Sequence, residues 1–333
     1  MLHGNMGPSV ADGSDCKASL DRYARLAQGA FAANTVRALE SDSRLFAVFC
    51  VRHGLDPLPA APSTVVLWLE ASARAGHTVA TVRRRLSSLA HLHRAAGVAD
   101  PTRDQAVRLA LRRYVRTRGG RPRQAAPLNQ AAVAAILATT RGAALRDLRD
   151  LALPLVLRDL LGRRGEACAL DVADITPEPD GSATVLIRRS KTDQAGSGTV
   201  VWLSPQAHAA LRNFWSTAGI TTGPAFRALR KGGRLGGRLQ EGDVARRLKA
   251  MAARAGIDAT NVSGHSCRIG MAQDLTASGF GLPEIMQAGR WKSPAMVARA
   301  AAPGSPPDAG ANLTLNFPGV DPHRRGRPLA RKP

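Results

Sequence analysis

Between Ser182 and Ser204 the chain reads SATVLIRRS, then KTDQAGSG, then TVVWLS. Alternating, β-branched residues on either side of a Gly/Ser-rich turn predict two strands and a short antiparallel sheet. Nearly everywhere else the apolar residues recur at helical spacing, so that sheet must be set into a helical framework. Ala, Leu and Arg are abundant while aromatics are only 4% of the chain, which favours helices packed through small side chains. The expected fold class is mainly α with a small antiparallel β-sheet.

A length of 333 residues suggests two domains. Residues 1–17 are polar and Gly-rich and read as a loose arm. A helical domain is expected over 18–117. Asn34 is placed as the cap of a helix running to about His53, with Val36, Leu39, Phe46 and Phe49 on its apolar side. Ser63 starts another helix toward Gly76, Thr78 a third closed by Gly97, and a fourth spans about Asp104 to Arg116. RTRGGRPRQAAP, residues 116–127, is basic and without periodicity, and predicts a linker over 118–127. A second domain follows over 128–302, with helices at 129–140, 144–161, 205–216, 241–255, 264–278, 283–288 and 294–302. From residue 303 to 333 prolines recur every few residues and no helix can persist.

Lys and Arg total 47 against 25 acids, a formal net charge of +22. That excess along the whole chain calls for a polyanionic partner, and nucleic acid is the first choice. A GC-rich genome would explain Arg over Lys but not the imbalance. Cys16, Cys50, Cys168 and Cys267 lie far apart with no metal-ligand spacing and read as buried reduced thiols, which suits a cytoplasmic protein. There is no signal-peptide pattern at MLHGNMGPSV and no apolar run long enough to span a membrane.

The chemistry-bearing residues are individually weak signals. GRRGEACALDVADI places Arg163 three residues before Glu166, which puts them on one helix face. Alone, such a pair is a surface salt bridge. In SGHSCRIG, Ser263 is a plausible N-cap, and His265 and Arg268 would share the face of the helix it opens. LPEIMQAGRW begins with Pro283 near its first turn, stops at Gly289 and presents Trp291. Lys191 lies in the turn between the two strands, ordinarily an exposed position.

In this order and spacing, Arg…Glu, a hairpin Lys, His-x-x-Arg and G-x-W resemble the catalytic domain of tyrosine recombinases, the phage-integrase family. SGHSCRIGMAQDL…LPEIMQAGRW is similar to the Cre-like branch, and ATVRRRLSSLAHLHRAAGVADPTRD resembles that branch's core-binding domain. The resemblance runs from about Asn34 to Arg299. It implies a two-domain, C-shaped clamp on double-stranded DNA that cleaves and rejoins strands without metal or cofactor. Arg163 and Arg268 would grip the non-bridging phosphate oxygens, with Arg164 the less favoured candidate. His265 would act as acid/base or hydrogen-bonding group, Lys191 would protonate the leaving 5′-oxygen, Trp291 would donate its indole N–H, and Glu166 would orient the arginines. Arg83, Arg84 and Arg85, the linker arginines Arg116, Arg118, Arg121 and Arg123, and Arg227, Arg230, Lys231 and Arg234 are candidate phosphate contacts. A nucleoid-associated protein that self-associates on DNA as a tetramer is the family expectation.

The family's nucleophile is a tyrosine about nine residues past the Trp291 position. Here that count lands on Ala300, and the two tyrosines of the chain, Tyr23 and Tyr114, lie in the helical domain. An alanine methyl cannot attack phosphorus, so cleavage is expected to be lost. The short docking helix that follows the tyrosine is replaced by the Pro/Gly/Arg-rich tail. A reading-frame change before residue 300, a natural non-cleaving homologue and a deliberate substitution each account for this. Ser305 is a poor substitute nucleophile. The alternative function is a non-catalytic, sequence-specific DNA-binding protein that occupies or regulates recombination sites. A type IB topoisomerase would share the clamp chemistry but not the N-terminal resemblance, and a generic basic RNA-binding protein would not explain the ordered set.

Overall fold

The computed structural model describes residues 13–120, 124–140, 142–191, 193 and 195–301. The chain divides into two compact units, residues 1–122 and 123–333.

The first unit is helical throughout: α1 Gly13–Leu26, α2 Ala33–Arg52, α3 Pro62–Arg74, α4 Val79–Ala95 and α5 Gln105–Arg118. Helix α1 therefore begins inside the expected loose arm. Two helices open on side-chain caps, Thr78 accepting from the Thr81 N–H and Asp104 from that of Ala106. Ala32, not Asn34, stands at the cap of α2, and Asn34 sits in the first turn, where its side-chain oxygen accepts from Arg37. The buried stripe of α2 is Asp42, Phe46 and Cys50, four residues apart. Val36 is exposed, a correction to its assignment to the apolar side. Phe46 packs with Trp68, Leu69, Val82, Leu89, Val107 and Tyr114 in one core. Asp42 is tolerated there because Ser88 and Arg84 donate to it. Helix α5 continues to Arg118, into the segment expected as linker.

The second unit runs α6 Gln130–Thr139, α7 Leu145–Asp159, α8 Arg164–Ala169, β1 Ile175–Pro177, β2 Ala183–Ile187 and β3 Thr199–Leu203. It continues α9 Pro205–Ala218, β4 Arg227–Leu229, β5 Leu235–Arg238, α10 Glu241–Arg254, α11 Ser266–Ala277, α12 Leu282–Gly289 and α13 Pro294–Ala301. The expected pair of strands is β2 and β3, in antiparallel register with Val185 opposite Val201, and β1 adds an outer third strand. Ala183, Val185 and Ile187 face the core while Leu186 points outward, the alternation read from the sequence. The β4–β5 hairpin has no counterpart in the sequence reading: each strand is too short, and LGGR too glycine-rich, to show a period.

Two features fix the frame of this unit. Arg158 on α7 donates to Asp274 on α11 at 2.6 Å and to the Leu128 carbonyl at 2.9 Å. Asp274 also accepts from the Gln130 N–H at 2.8 Å, so one buried ion pair ties α7, α11 and the start of α6. Gly270 on α11 lies against the chain at Leu128, where an added Cβ would run into the carbonyl group. Among the described residues no helix is long and apolar enough to cross a membrane.

Candidate functional site

Four segments of the second unit converge: the α7–α8 turn, the β2–β3 turn, the start of α11 and the α12–α13 turn. Arg163 occupies the N-cap of α8 instead of its face. Its backbone N–H donates to Glu166 Oε2 at 3.0 Å, and its Nη1 donates to Oε1 at 2.6 Å. Glu166 is buried, so its charge is held by what touches it. A second guanidinium, Arg290, donates through Nη2 to Oε2 at 2.6 Å. One carboxylate thus bridges an arginine 3 residues away and another 124 positions along the chain.

Arg268 is 5% exposed and donates to the carbonyls of Leu161 and Gly289, with its guanidinium carbon 4.0 Å from the Trp291 ring centre. Those carbonyls close the C-terminal ends of α7 and α12, where helix acceptors are unpaired and the dipole is negative. Burial first, then the charge of Arg163, draws its pKa down to about 9, with Glu166 opposing; it remains cationic at pH 7. The backbone at Leu161 and at Arg290 is left-handed, with φ of 39° and 56°.

His265 lies at the N-cap of α11, just before the helix, so it does not share a helical face with Arg268 as the sequence suggested. Ser263 is displaced from the cap role and accepts from the His265 N–H at 3.1 Å. The imidazole reaches solvent on one side. Desolvation of the other, followed by the charges of Arg268, Arg164, Arg163 and Lys191, holds its pKa below the ordinary value of 6.5. Lys191 is exposed in the β2–β3 turn. Trp291 is buried, and Gly289 is required beneath it, because an added Cβ there would run into the indole ring. Arg164 is turned toward α10, its Nε 3.3 Å from Glu241.

Ala300 on α13 is 8% exposed and packs with Leu161, Met271, Leu275, Ile285, Trp291 and Val297. Its carbonyl accepts from the side-chain amides of Gln124 and Gln273, each at 3.4 Å. Among the described residues no three His, Cys, Asp or Glu side chains gather as metal ligands would.

Residues 127–302 match the phage integrase family. The chain belongs to that family, the tyrosine recombinases. An integrase/recombinase XerD homolog of Selenomonas ruminantium is 31% identical over 276 residues, 80% of each chain. Recombinase Cre of Escherichia phage P1 is 30% identical over 283 residues, 79% of this chain and 82% of its own. Among solved structures, the Tn1549 transposon integrase in complex with transposon right end DNA aligns with a TM-score of 0.58 at 14% identity, over 87% of this chain and 95% of that one. A lambda integrase dimer bound to a COC′ core site aligns with a TM-score of 0.58 at 15% identity, over 90% and 98%. At such identities these two similarities speak for the fold.

The candidate phosphate contacts of this integrase-family chain fall into different settings. Arg83 and Arg84 are exposed on α4, Arg84 paired with Asp42, while Arg85 is half-buried. Arg116 and Arg118 are exposed at the end of α5, Arg118 donating to the Ala73 carbonyl at 2.7 Å. Arg121 and Arg123 lie outside the described residues, as do Ser305 and the tail. Arg227 is half-buried and its Nε is engaged by the Gly236 carbonyl at 2.8 Å, whereas Arg230, Lys231 and Arg234 stand exposed at the tip of the β4–β5 hairpin. Sequence reasoning misses Arg290, which occupies the variable position of G-x-W. Its one signal in the sequence is a third arginine beside Trp291.

Proposed function

We propose that this protein binds duplex DNA, seats a backbone phosphodiester between Arg163 and Arg268, and does not cleave it. The observation that carries the reading is a charge imbalance: Arg163, Arg268 and Arg290 influence one another around a single carboxylate, Glu166. Like charges in a partly desolvated cluster are stabilised by an anion with several oxygens, and guanidinium donors match phosphate oxygens in plane and spacing. Preorganised donors of this kind also stabilise the charge that builds on a phosphoryl group under attack. The carbonyls of Leu161 and Gly289 hold Arg268 in place before any ligand arrives, so little ordering remains to be done on binding.

In this reading His265, held below the ordinary imidazole value in the free protein, offers a hydrogen bond to the phosphate or a proton relay. Lys191 comes in from the exposed turn toward the 5′-oxygen, and Trp291 packs the cluster and offers its indole N–H. Position 300 supplies a methyl group in place of the family's phenol, so no covalent 3′-phosphotyrosine forms. The arginines of α4, the end of α5 and the β4–β5 tip contribute phosphate contacts that position the duplex without reading bases. The family membership and the DNA complexes named among the structural neighbours support DNA as the partner, and the lambda integrase dimer supports self-association on it.

The test pairs two measurements on the full chain. Binding to a random-sequence duplex across a salt series should fall steeply, with a log–log slope of about −0.9 per phosphate neutralised. Supercoiled plasmid incubated with the same protein should remain unnicked. A flat salt dependence would overturn duplex binding, and nicked circles would overturn the loss of cleavage.

A further inference from the structure

Arg290 is not accounted for by the two-arginine seat. It lies at the end of α12 with left-handed backbone, φ 56°, a region that glycine enters freely and an L side chain enters at a cost. Its side chain is 11% exposed. Nη2 is engaged with Glu166, while Nε and Nη1 are buried and have no acceptor among the described residues. A charged donor withdrawn from water and left unpaired is expensive, and here two of them share one side chain already held on a strained turn.

Among the described residues no neighbouring acid completes it. Glu166 is shared with Arg163. Asp193, across the open cleft lined by Arg290, Trp291, Lys292 and Thr199, is occupied by the N–H groups of Gly196, Ser197 and Gly198. Lys292 adds a further positive charge to the same cleft. An acceptor supplied from outside, and anionic, would satisfy both nitrogens.

We infer that Arg290 is a further phosphate-binding residue, a third guanidinium whose Nε–H and Nη1–H are completed by an oxygen of the phosphodiester held at Arg163 and Arg268. This rests on the reading of the cluster as a phosphate seat. Glu166 balances Arg163 and accepts from one nitrogen of Arg290, an acceptor oxygen that glutamine retains, which leaves the other two nitrogens for the ligand.

The experiment uses the full chain and two probes, inorganic phosphate followed by its effect on melting temperature against chloride at equal ionic strength, and a random-sequence duplex followed by anisotropy. The variants are R290G, R268Q, E166Q and the double variant E166Q/R290G. Glycine accepts the left-handed turn, so R290G keeps the backbone unstrained. R290G is expected to weaken phosphate binding by at least about tenfold, since two charge-assisted donors are removed together, and to reduce the salt slope on duplex by about 0.9. The same loss should appear when Arg290 is removed from E166Q, because the contact is direct. If R290G weakens binding in the wild-type background but not in E166Q, Arg290 acts only through Glu166 and the inference falls. Wild-type affinity in R290G beside a weakened R268Q would also overturn it, leaving the two-arginine seat intact. If the unmutated protein responds to neither probe, the phosphate-seat reading fails first and this one with it.

Discussion

Replacing Glu166 with glutamine would keep the volume of the side chain and remove its charge. In the structure that carboxylate accepts the Arg163 backbone N–H and the guanidiniums of Arg163 and Arg290, and it is 4% exposed. Glutamine retains one acceptor oxygen but turns an amide N–H₂ toward a guanidinium donor. Removing one partner from a buried ion pair costs about 3–5 kcal/mol, and the remaining acceptor together with the partial exposure of Arg163 favours the lower end, about 3 kcal/mol. For a unit of this size each kcal/mol shifts the melting temperature by roughly 2–4 °C, so E166Q should melt about 6–12 °C lower in chloride. Phosphate should then recover more of the loss in E166Q than it adds to the wild type, since it replaces negative charge that the variant lacks. Thermal melts in chloride and phosphate at equal ionic strength measure both. A melting temperature equal to wild type in chloride would show that Glu166 does not balance the arginines and would refute the charge reasoning.

Asp274→Ala leaves Arg158 buried without its counter-ion and the Gln130 N–H without its acceptor, so denaturant unfolding should show a loss of about 3–5 kcal/mol; a loss under about 1 kcal/mol would refute the tie between α7, α11 and α6. His265 is held below the ordinary imidazole value in the free protein, and a bound phosphodiester would raise it. Duplex affinity at fixed salt should therefore increase as pH falls from the raised bound-state value toward the lowered value of the free protein, and His265→Gln should flatten that rise. His93 is buried, accepts the Ala60 N–H at 3.0 Å and is lowered chiefly by burial, so the unfolded chain binds the proton more readily. Its contribution to stability is complete above 6.5 and is lost as pH falls toward the lowered value; replacing it should remove that part of the acid limb in pH-dependent melts. Ala300→Tyr must fit a phenol where a buried methyl packs against Trp291 and Leu161, an overpacking cost of about 1–3 kcal/mol. Only weak covalent attachment to a DNA substrate is expected, and efficient recombination by that single variant would overturn the account of the site.

Much of this architecture follows from local pattern. Thr78 and Asp104 lie at the caps where short polar side chains belong, and the alternation of Ala183, Val185 and Ile187 marks the buried face of the sheet. Those features depend on neighbours a few residues away, which a sequence displays directly. The starts of the site segments are less legible: Arg163 and His265 cap helices α8 and α11, because the chain enters each from a turn whose geometry is set by distant contacts. Arg227 shows the same limit, being basic in sequence yet engaged by Gly236 across a hairpin too short to leave a period.

The order and spacing of Arg163, Glu166, Lys191, His265, Arg268 and Trp291, and the alanine at position 300, belong to the sequence alone and carry the resemblance to the family. Which arginines share a carboxylate does not. Arg290 reaches Glu166 across 124 positions, and its remaining nitrogens are buried where α12 ends in a left-handed turn next to Trp291. Burial and pairing are properties of groups brought together from far apart in the chain, so tertiary structure alone decides where a charge is left without its partner.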